Sequence, residues 1–172
     1  SQEEFNSRIT KVKDSMNKKG IEILLTTDPS NMNYLTGYDG WSFYVPQGVI
    51  VSIDEEKPYW FGRKQDSNGA RITTYLNEEN IFGYPEHLIQ SPPLHPYDFV
   101  VQLFKDKNWS GKNIGIEMDS YYYTAEKHKR LKDNVRYFLE FAPKDAIFVI
   151  AGGLHMDEAK EYLRLDSRIK IV

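Results

Sequence analysis

Acidic and histidine side chains, the usual ligands of a catalytic metal, are scattered in this sequence. Glu117 and Asp119 are two positions apart, so on a β-strand they would share one face. His95 and Asp98 form a second pair, but the four histidines include no H-E-x-x-H arrangement. A hydrolytic metal site needs at least three converging ligands and an open position. We therefore predict that Glu117 and Asp119 end a strand, with Asp119 capping the next element, and we assign no metal ligand and no catalytic residue.

Two further motifs could support covalent or phosphate chemistry, but each has a simpler interpretation. Ser42 follows Gly40-Trp41, without the second glycine of a G-x-S-x-G nucleophile elbow, so a turn or strand hydroxyl is favoured. Gly152-Gly153 lies between an apolar segment and a predicted helix, where backbone N–H groups could bind phosphate. The pair matches neither a dinucleotide-binding nor a Walker motif, so a plain turn is favoured. A small nucleotide-binding enzyme is the weaker alternative.

Arg63 and Gln65 have side chains that suit a planar anion. A guanidinium group and an amide group can both donate hydrogen bonds to a carboxylate. The alternative is a solvated surface, or an ion pair between Arg63 and Asp66, which lies three residues later. We include Arg63 and Gln65 among the candidate substrate-binding residues.

Five aromatic side chains fall within eleven residues, in a segment broken by two glycines. Aromatic groups beside a turn either fill a core or present flat apolar faces with polar tips to a ligand. We predict that Tyr34 and Leu35 pack in the core. Trp41, Phe43 and Tyr44 follow a turn-like stretch, and binding groups collect on such loops. We therefore take Trp41 and Phe43 as the leading candidates for a binding face.

The bulk composition excludes several classes of function. The 172 residues predict about one domain, and their net charge of -3 argues against a nucleic-acid or anionic-membrane partner. No apolar run approaches the ~20 residues that span a bilayer. The first twenty residues are charged and polar, unlike a signal peptide. The chain has no cysteine, which fits a reducing compartment. We expect a cytoplasmic protein.

Hydrophobic periodicity predicts alternating helices and strands. Phe5 to Met16 should form an amphipathic helix that ends near Gly20, and Ser30 should cap a short second helix. Residues 49–53 and 59–61 are typical of a β-hairpin. Further strands are predicted at 21–26, 80–84, 113–118, 135–141, 147–150 and 169–172, and further helices at 66–74, 97–106, 124–133 and 157–165. This pattern predicts an α/β fold with a mixed β-sheet flanked by helices.

Several of these segments also resemble a known family. The order of the first helix, Ile21 to Thr26, Asn31 to Tyr38 and Gly40 to Gln47 resembles the N-terminal domain of the creatinase/prolidase (Xaa-Pro peptidase-like) family. The resemblance covers residues 3 to about 142. Two further stretches, Tyr59 to Ala70 and Gly83 to Pro85, are most similar to the ectoine hydrolase branch. On this basis we place the family-type domain at 1–145 and treat 146–172 as a strand-helix-strand extension of the same domain.

The resemblance implies a sheet-and-helix fold of ribonuclease H-like architecture that precedes a separate catalytic domain. In the peptidases of the family, that second domain carries the acidic and histidine ligands of a metal pair, whereas creatinase-like members work without metal. We therefore expect no cofactor in this chain and a divalent metal, if one is used, in the catalytic domain.

The resemblance also implies a role for the aromatic segment. In the family, the N-terminal domain contributes to a homodimer and can reach the active site of the neighbouring subunit. Phe43 aligns with a creatinase phenylalanine that touches substrate, whereas Val45 stands where creatinase has an arginine, which argues against creatine. We expect a noncatalytic domain of a hydrolase that cleaves a C–N amide-type bond in an ectoine-like or Xaa-Pro small-molecule substrate. The alternative is a free-standing module that binds a small molecule or a protein.

Overall fold

Residues 1–134 are described in a computed structural model of the chain, and they form five helices and five strands. The helices are α1 Gln2–Lys18, α2 Pro29–Thr36, α3 Ser67–Thr73, α4 Pro96–Asp106 and α5 Ala125–Asn134. The strands are β1 Ile23–Thr26, β2 Gly48–Ser52, β3 Tyr59–Arg63, β4 Ile81–Tyr84 and β5 Ile114–Ile116. Short 3-10 turns lie at Glu78–Asn80 and Glu86–Leu88.

The strands form one mixed sheet in the order β4-β3-β2-β1-β5. The central pairs β1–β2 and β2–β3 are antiparallel, and the outer pairs β1–β5 and β3–β4 are parallel. The predicted hairpin is therefore confirmed, with Val49 opposite Trp60. The predicted α/β fold with a mixed sheet flanked by helices is confirmed as well.

Helices cover both faces of the sheet because the strand side chains alternate between two cores. Leu25, Ile50 and Phe61 point to a core shared with α4 and α5, whereas Val49, Val51 and Trp60 point to a core shared with α1, α2 and α3. All six of these strand side chains are buried. Burial on both faces explains why the strands are nearly continuous apolar runs.

The helix ends follow the sequence signals with one correction. Gly20 follows the last turn of α1 with a φ of 68°, as expected of a glycine after a helix C-terminus. Helix α2 is capped by Asp28, whose side chain accepts a 2.9 Å hydrogen bond from the backbone N–H of Ser30. The prediction that Ser30 is the cap was therefore wrong, because Pro29 occupies the first helical position and the cap lies two residues earlier than predicted.

The start of the first strand differs from the prediction, and several other predicted elements lie beyond Asn134. The first strand begins at Ile23 rather than Ile21, since the chain is still turning out of α1 at that point. The strands and helix predicted after Asn134, the Gly152-Gly153 turn and the 145/146 boundary lie outside the described residues. Within residues 1–134, no helix combines the length and the apolar character needed to cross a membrane.

Candidate functional site

The segment between α2 and β2 exposes most of the aromatic surface that the sequence predicted. Trp41 is 63% exposed, Phe43 80% and Tyr44 61%. Large apolar side chains are normally buried, so three exposed aromatic groups within four residues form an unusual surface. We call residues 38–47 the aromatic loop.

Buried contacts at both ends anchor the aromatic loop to the sheet. Tyr38 is buried against Trp60, and its hydroxyl donates a 3.0 Å hydrogen bond to the side-chain oxygen of Gln47. The hydroxyl of Tyr84, on β4, donates a hydrogen bond to the backbone oxygen of Pro46. These contacts fix the ends of the loop, so its exposed aromatic groups stand on a rigid base.

Contacts with neighbouring side chains also fix the positions of the exposed Trp41 and Phe43 rings. The Trp41 and Phe43 rings lie 6.0 Å apart between centroids, tilted by 48°. The indole N–H of Trp41 donates a 2.6 Å hydrogen bond to the hydroxyl of Tyr122, which lies after β5 in the chain. Val45 lies in the same loop but is buried, so it does not contribute to the exposed surface.

Tyr34 corrects the prediction for the start of the aromatic segment. Leu35 is buried as expected, but Tyr34 is 42% exposed. The guanidinium group of Arg8 lies 4.7 Å from the centre of the Tyr34 ring and donates a 3.1 Å hydrogen bond to the Tyr34 backbone oxygen. Tyr34 therefore forms a cation–π contact on the surface, where helix α1 crosses α2.

A cavity of about 300 Å³ lies beside the aromatic loop. We call it the loop cavity. It combines aromatic and aliphatic groups with two basic side chains, which is the usual composition of a small-molecule site. Its walls are formed by residues 42–47, Ile89, Gln90, His95, Pro96, Tyr121, Tyr122, Thr124 and Lys127.

Both basic side chains of the loop cavity are partly withdrawn from water. Nζ of Lys127 donates a 2.6 Å hydrogen bond to the backbone oxygen of Tyr122, and burial lowers the Lys127 pKa to about 8. Nδ1 of His95 accepts a 3.0 Å hydrogen bond from the backbone N–H of Tyr97 at the start of α4. Burial also lowers the His95 pKa, and the nearby charges of Arg130 and Lys127 add to the effect.

Arg63 and Gln65 lie on a different surface. Nε of Arg63 donates a 2.7 Å hydrogen bond to the carboxylate of Glu86, which raises the Arg63 pKa. The predicted alternative, an ion pair between Arg63 and Asp66, was therefore wrong, because the partner of Arg63 is Glu86. Gln65 lines a second, more open cavity of about 440 Å³ with Lys64 and Arg71. The structure thus places Phe43 and Gln65 on separate cavities.

Glu117 has a structural role, as the simpler interpretation predicted. Its carboxylate accepts hydrogen bonds of 2.8 and 2.9 Å from the backbone N–H groups of Thr27 and Asp28, and another from the side chain of Asn31. Glu117 thus joins the end of β5 to the start of α2. No group of three His, Asp or Glu side chains that could hold a metal converges within residues 1–134.

Sequence reasoning missed two residues of this region. Tyr122 and Lys127 were not singled out, and His95 was considered only as a metal ligand. The run Tyr121-Tyr122-Tyr123 after a strand resembles the aromatic loop in composition and was an available signal. Their proximity to the loop depends on the parallel pairing of β1 with β5, which sets the start of this run beside the end of β1.

These features define an α/β domain with helices on both faces of a mixed sheet and an exposed, anchored aromatic loop. The chain belongs to the Creatinase/Prolidase N-terminal domain family, whose sequence profile matches residues 8–149. The resemblance noted from the sequence is therefore confirmed.

Curated relatives are longer than this chain. An ectoine hydrolase from Halomonas elongata is 38% identical over 170 residues, which are 98% of this chain and 42% of that protein. An uncharacterized hydrolase/peptidase from Sinorhizobium fredii, y4tM, is 41% identical over 132 residues, covering 77% of this chain and 34% of that protein. The chain thus spans less than half the length of the relatives it matches.

Solved structures show the same fold. The creatinase/prolidase N-terminal domain of an X-Pro dipeptidase from Streptococcus pyogenes superposes with a TM-score of 0.62 at 19% identity, covering 77% of this chain and 90% of that one. A proline dipeptidase from Streptococcus agalactiae gives 0.61 at 17% identity, covering 76% and 89%. At these identities the likeness establishes the fold alone.

Proposed function

We propose that this chain is the noncatalytic N-terminal domain of a hydrolase that cleaves a C–N amide-type bond. The share of each relative that the chain spans supports this, because less than half of the ectoine hydrolase sequence is matched. The remaining part of such a protein would hold the general base and the electrophile that amide hydrolysis needs. Ectoine-like or Xaa-Pro compounds are the substrates we propose.

The aromatic loop is the part of the domain that we propose to contact substrate. In a homodimer, Trp41 and Phe43 would line the substrate pocket of the neighbouring subunit. The observation that carries this proposal is their exposure, 63% and 80%, on a loop whose ends are anchored by buried tyrosines. An apolar surface of this kind is normally covered by a ligand or a partner.

The chemistry of the loop suits a cyclic or cationic substrate. Flat aromatic faces bind apolar rings by burial and attract cations by cation–π interactions. Arg63 and Gln65 would orient a substrate carboxylate from a second position, and Arg63 would do so while bound through Nε to Glu86. We assign any divalent metal to the catalytic domain, as the resemblance to the peptidases of the family implies.

Substitutions in the full-length protein test the role of the loop. Phe43→Ala and Trp41→Ala should each lower kcat/KM about tenfold or more, since a stacked ring of this size contributes at least about 1.4 kcal/mol. Ile72→Ala is the matched control, because Ile72 is an exposed apolar residue of α3. Equal kcat/KM values for all variants and the parent protein would refute a substrate contact.

Mixed dimers test whether the loop acts across the subunit interface. Subunits with Phe43→Ala would be combined with subunits inactivated in the catalytic domain. If the loop serves the neighbouring subunit, random mixing should restore about a quarter of the parent activity, because half of the dimers carry one complete site. No restoration would mean that the loop acts on its own subunit or not at all.

The alternative is a free-standing binding module, and two observations separate it from the first proposal. A reading frame that continues past Val172 into a domain with Asp, His and Glu ligands would favour the hydrolase. In addition, the purified 172-residue chain should not turn over ectoine, proline dipeptides or creatine. Robust hydrolysis by this chain alone would overturn the proposal that it is noncatalytic.

A further inference from the structure

We propose that the loop cavity binds the carboxylate group of a small cyclic or aromatic ligand, with Lys127 as the ion partner of that carboxylate. This goes beyond the proposed function, because it concerns binding by the domain itself and holds with or without a catalytic domain. The site is separate from Arg63 and Gln65, which do not line this cavity.

Lys127 is the basic group that would bind the carboxylate. Its Nζ donates one hydrogen bond, to the backbone oxygen of Tyr122, and lies 5.9 Å from the centre of the Tyr97 ring. An ammonium group has three donors. Within the part of the chain that the structure describes, no carboxylate lies at ion-pair distance from Lys127. The cation therefore has donor capacity that an acidic ligand could use.

A neighbouring cation of α5, Arg130, already has acidic partners. Arg130, on the next turn of α5, pairs with both Asp98 and Glu126 at 2.7 Å. Lys127 instead lines the cavity, and its burial carries a desolvation cost that lowers its pKa to about 8. A bound carboxylate would offset that cost, since an opposite charge stabilises the protonated amine.

His95 supplies a second donor in the same cavity. Its Nδ1 accepts the backbone N–H of Tyr97, so the neutral ring carries its proton on Nε2. The nearby carboxylate of Asp98 is already bound, both to Arg130 and to the backbone N–H of His95. A ligand carboxylate would thus meet an ammonium and an imidazole N–H, a combination that favours a monoanion.

The other walls of the loop cavity determine the size and the apolar character of the rest of the ligand. Phe43, Tyr44 and Tyr121 are exposed aromatic groups at the cavity, and Ile89 and Pro96 add aliphatic surface. A volume of about 300 Å³ is at the lower end for ligand pockets, which limits the occupant to roughly one ring and its carboxylate. Inside this cavity a cationic ring would be repelled by Lys127, unlike at the Trp41 ring, which does not line the cavity, and a neutral ring would lack the ion pair.

The test uses benzoate as the probe and the 172-residue chain as the protein. Titration at pH 7, followed by backbone amide shifts in NMR, should give saturable binding with shifts concentrated in residues 42–47 and 121–127. Benzamide, the neutral isostere, should bind at least tenfold more weakly, and benzylamine should not bind. No saturable binding of benzoate, or equal affinity for benzamide, would overturn the proposal.

Two lysines of α5 provide the matched variants. Lys127→Met keeps the length of the side chain but removes its charge, and it should weaken benzoate binding at least tenfold. Lys129→Met removes an exposed charge two residues away and should leave the affinity unchanged. Unchanged affinity in Lys127→Met, or an equal loss in both variants, would contradict a specific role for Lys127.

If Lys127→Met does not fold, the pH dependence of benzoate binding by the parent chain tests whether Lys127 is the ion partner. Benzoate affinity should fall about tenfold per pH unit above about 8, as Lys127 loses its proton. The other charged or titratable groups near Lys127 are His95, Asp98, Glu126, Arg130, Tyr44, Tyr97, Tyr121 and Tyr122. The pKa of His95 is lowered by burial, whereas burial raises the pKa of Tyr97, and the burial of Arg130 is outweighed by its acidic partners, which raise its pKa, so these three groups do not compete with the titration of Lys127. A flat profile from pH 7 to 9.5 would overturn the assignment of Lys127.

Discussion

The indole N–H of Trp41 and the hydroxyl of Tyr122 are joined by a 2.6 Å hydrogen bond across 81 positions of the chain. This contact ties the aromatic loop to the segment between β5 and α5. It also places Tyr122 and Phe43 on the wall of one cavity. The exposed aromatic surface is therefore built from two distant segments and not from the loop alone.

Tyr122→Phe should release Trp41 while changing the free energy of unfolding by only about 1 kcal/mol, the usual net value of one hydrogen bond. Iodide quenching of tryptophan fluorescence can report this, because Trp60 and Trp109 are buried and Trp41 is exposed. We expect a larger quenching constant in Tyr122→Phe than in the parent chain. Tyr121→Phe, at a 92% exposed position, is the control and should quench as the parent does. Identical quenching in both variants would mean that the hydrogen bond does not restrain the loop.

Two fully buried tyrosines should respond in opposite ways to loss of the hydroxyl. The Tyr84 hydroxyl donates to Pro46, so Tyr84→Phe leaves a carbonyl unpaired and should cost about 1–2 kcal/mol. The Tyr97 hydroxyl is buried without a hydrogen-bond partner among the described residues, so Tyr97→Phe should be neutral or stabilising by up to about 1 kcal/mol. Urea unfolding of both variants measures the difference. A loss in Tyr97→Phe as large as that in Tyr84→Phe would show that Tyr97 has a partner.

Glu117→Ala should destabilise the fold by about 2–3 kcal/mol. The substitution removes the carboxylate that accepts hydrogen bonds from two backbone N–H groups and one side-chain amide, so these three donors would lose their partner. Glu117→Gln should lose less, since its amide oxygen can still accept. The control is Asp119→Ala, at an exposed position on the same segment, which should change stability by no more than about 0.5 kcal/mol. Thermal or urea unfolding measures both changes. Equal losses of stability in the two alanine variants would mean that Asp119 has a structural role as well.

His128 should make the chain sensitive to acid. Burial, followed by the charge of Lys132, lowers the His128 pKa to about 4 from its ordinary value of 6.5. Below pH 6.5 the unfolded chain binds the proton more readily, so stability is present above pH 6.5 and is lost as the pH falls toward 4. The loss due to this group should be about 2–3 kcal/mol, at 1.36 kcal/mol per pKa unit.

Urea unfolding at pH 7 and at pH 4.5 isolates the contribution of His128. The parent chain should lose more stability between these pH values than His128→Gln, because glutamine takes up no proton. His87 is an exposed histidine, so His87→Gln should keep the acid loss of the parent. An equal acid loss in His128→Gln and the parent would exclude His128 as the cause.

Local patterns accounted for most of the secondary structure. The apolar stripe of α1, the hairpin residues 49–61 and the glycine after α1 are each short-range signals, and each is confirmed. The α2 cap was misplaced because Asp28-Pro29-Ser30 offers two capping residues in three positions, and the proline decides between them. The structure leaves the candidate roles of Trp41, Phe43, Arg63 and Gln65 as predictions.

By itself, the sequence determined the fold class, the family and the presence of an aromatic loop, because these depend on periodicity and on motifs that neighbouring residues complete. Only the tertiary structure decided which groups share a surface. It paired Arg63 with Glu86 rather than with Asp66, placed Tyr34 against Arg8 at the surface, and brought Lys127 and Tyr122 to the loop. The physical reason is that these contacts cross between elements, and their geometry is fixed by sheet order and helix packing, which local spacing does not encode.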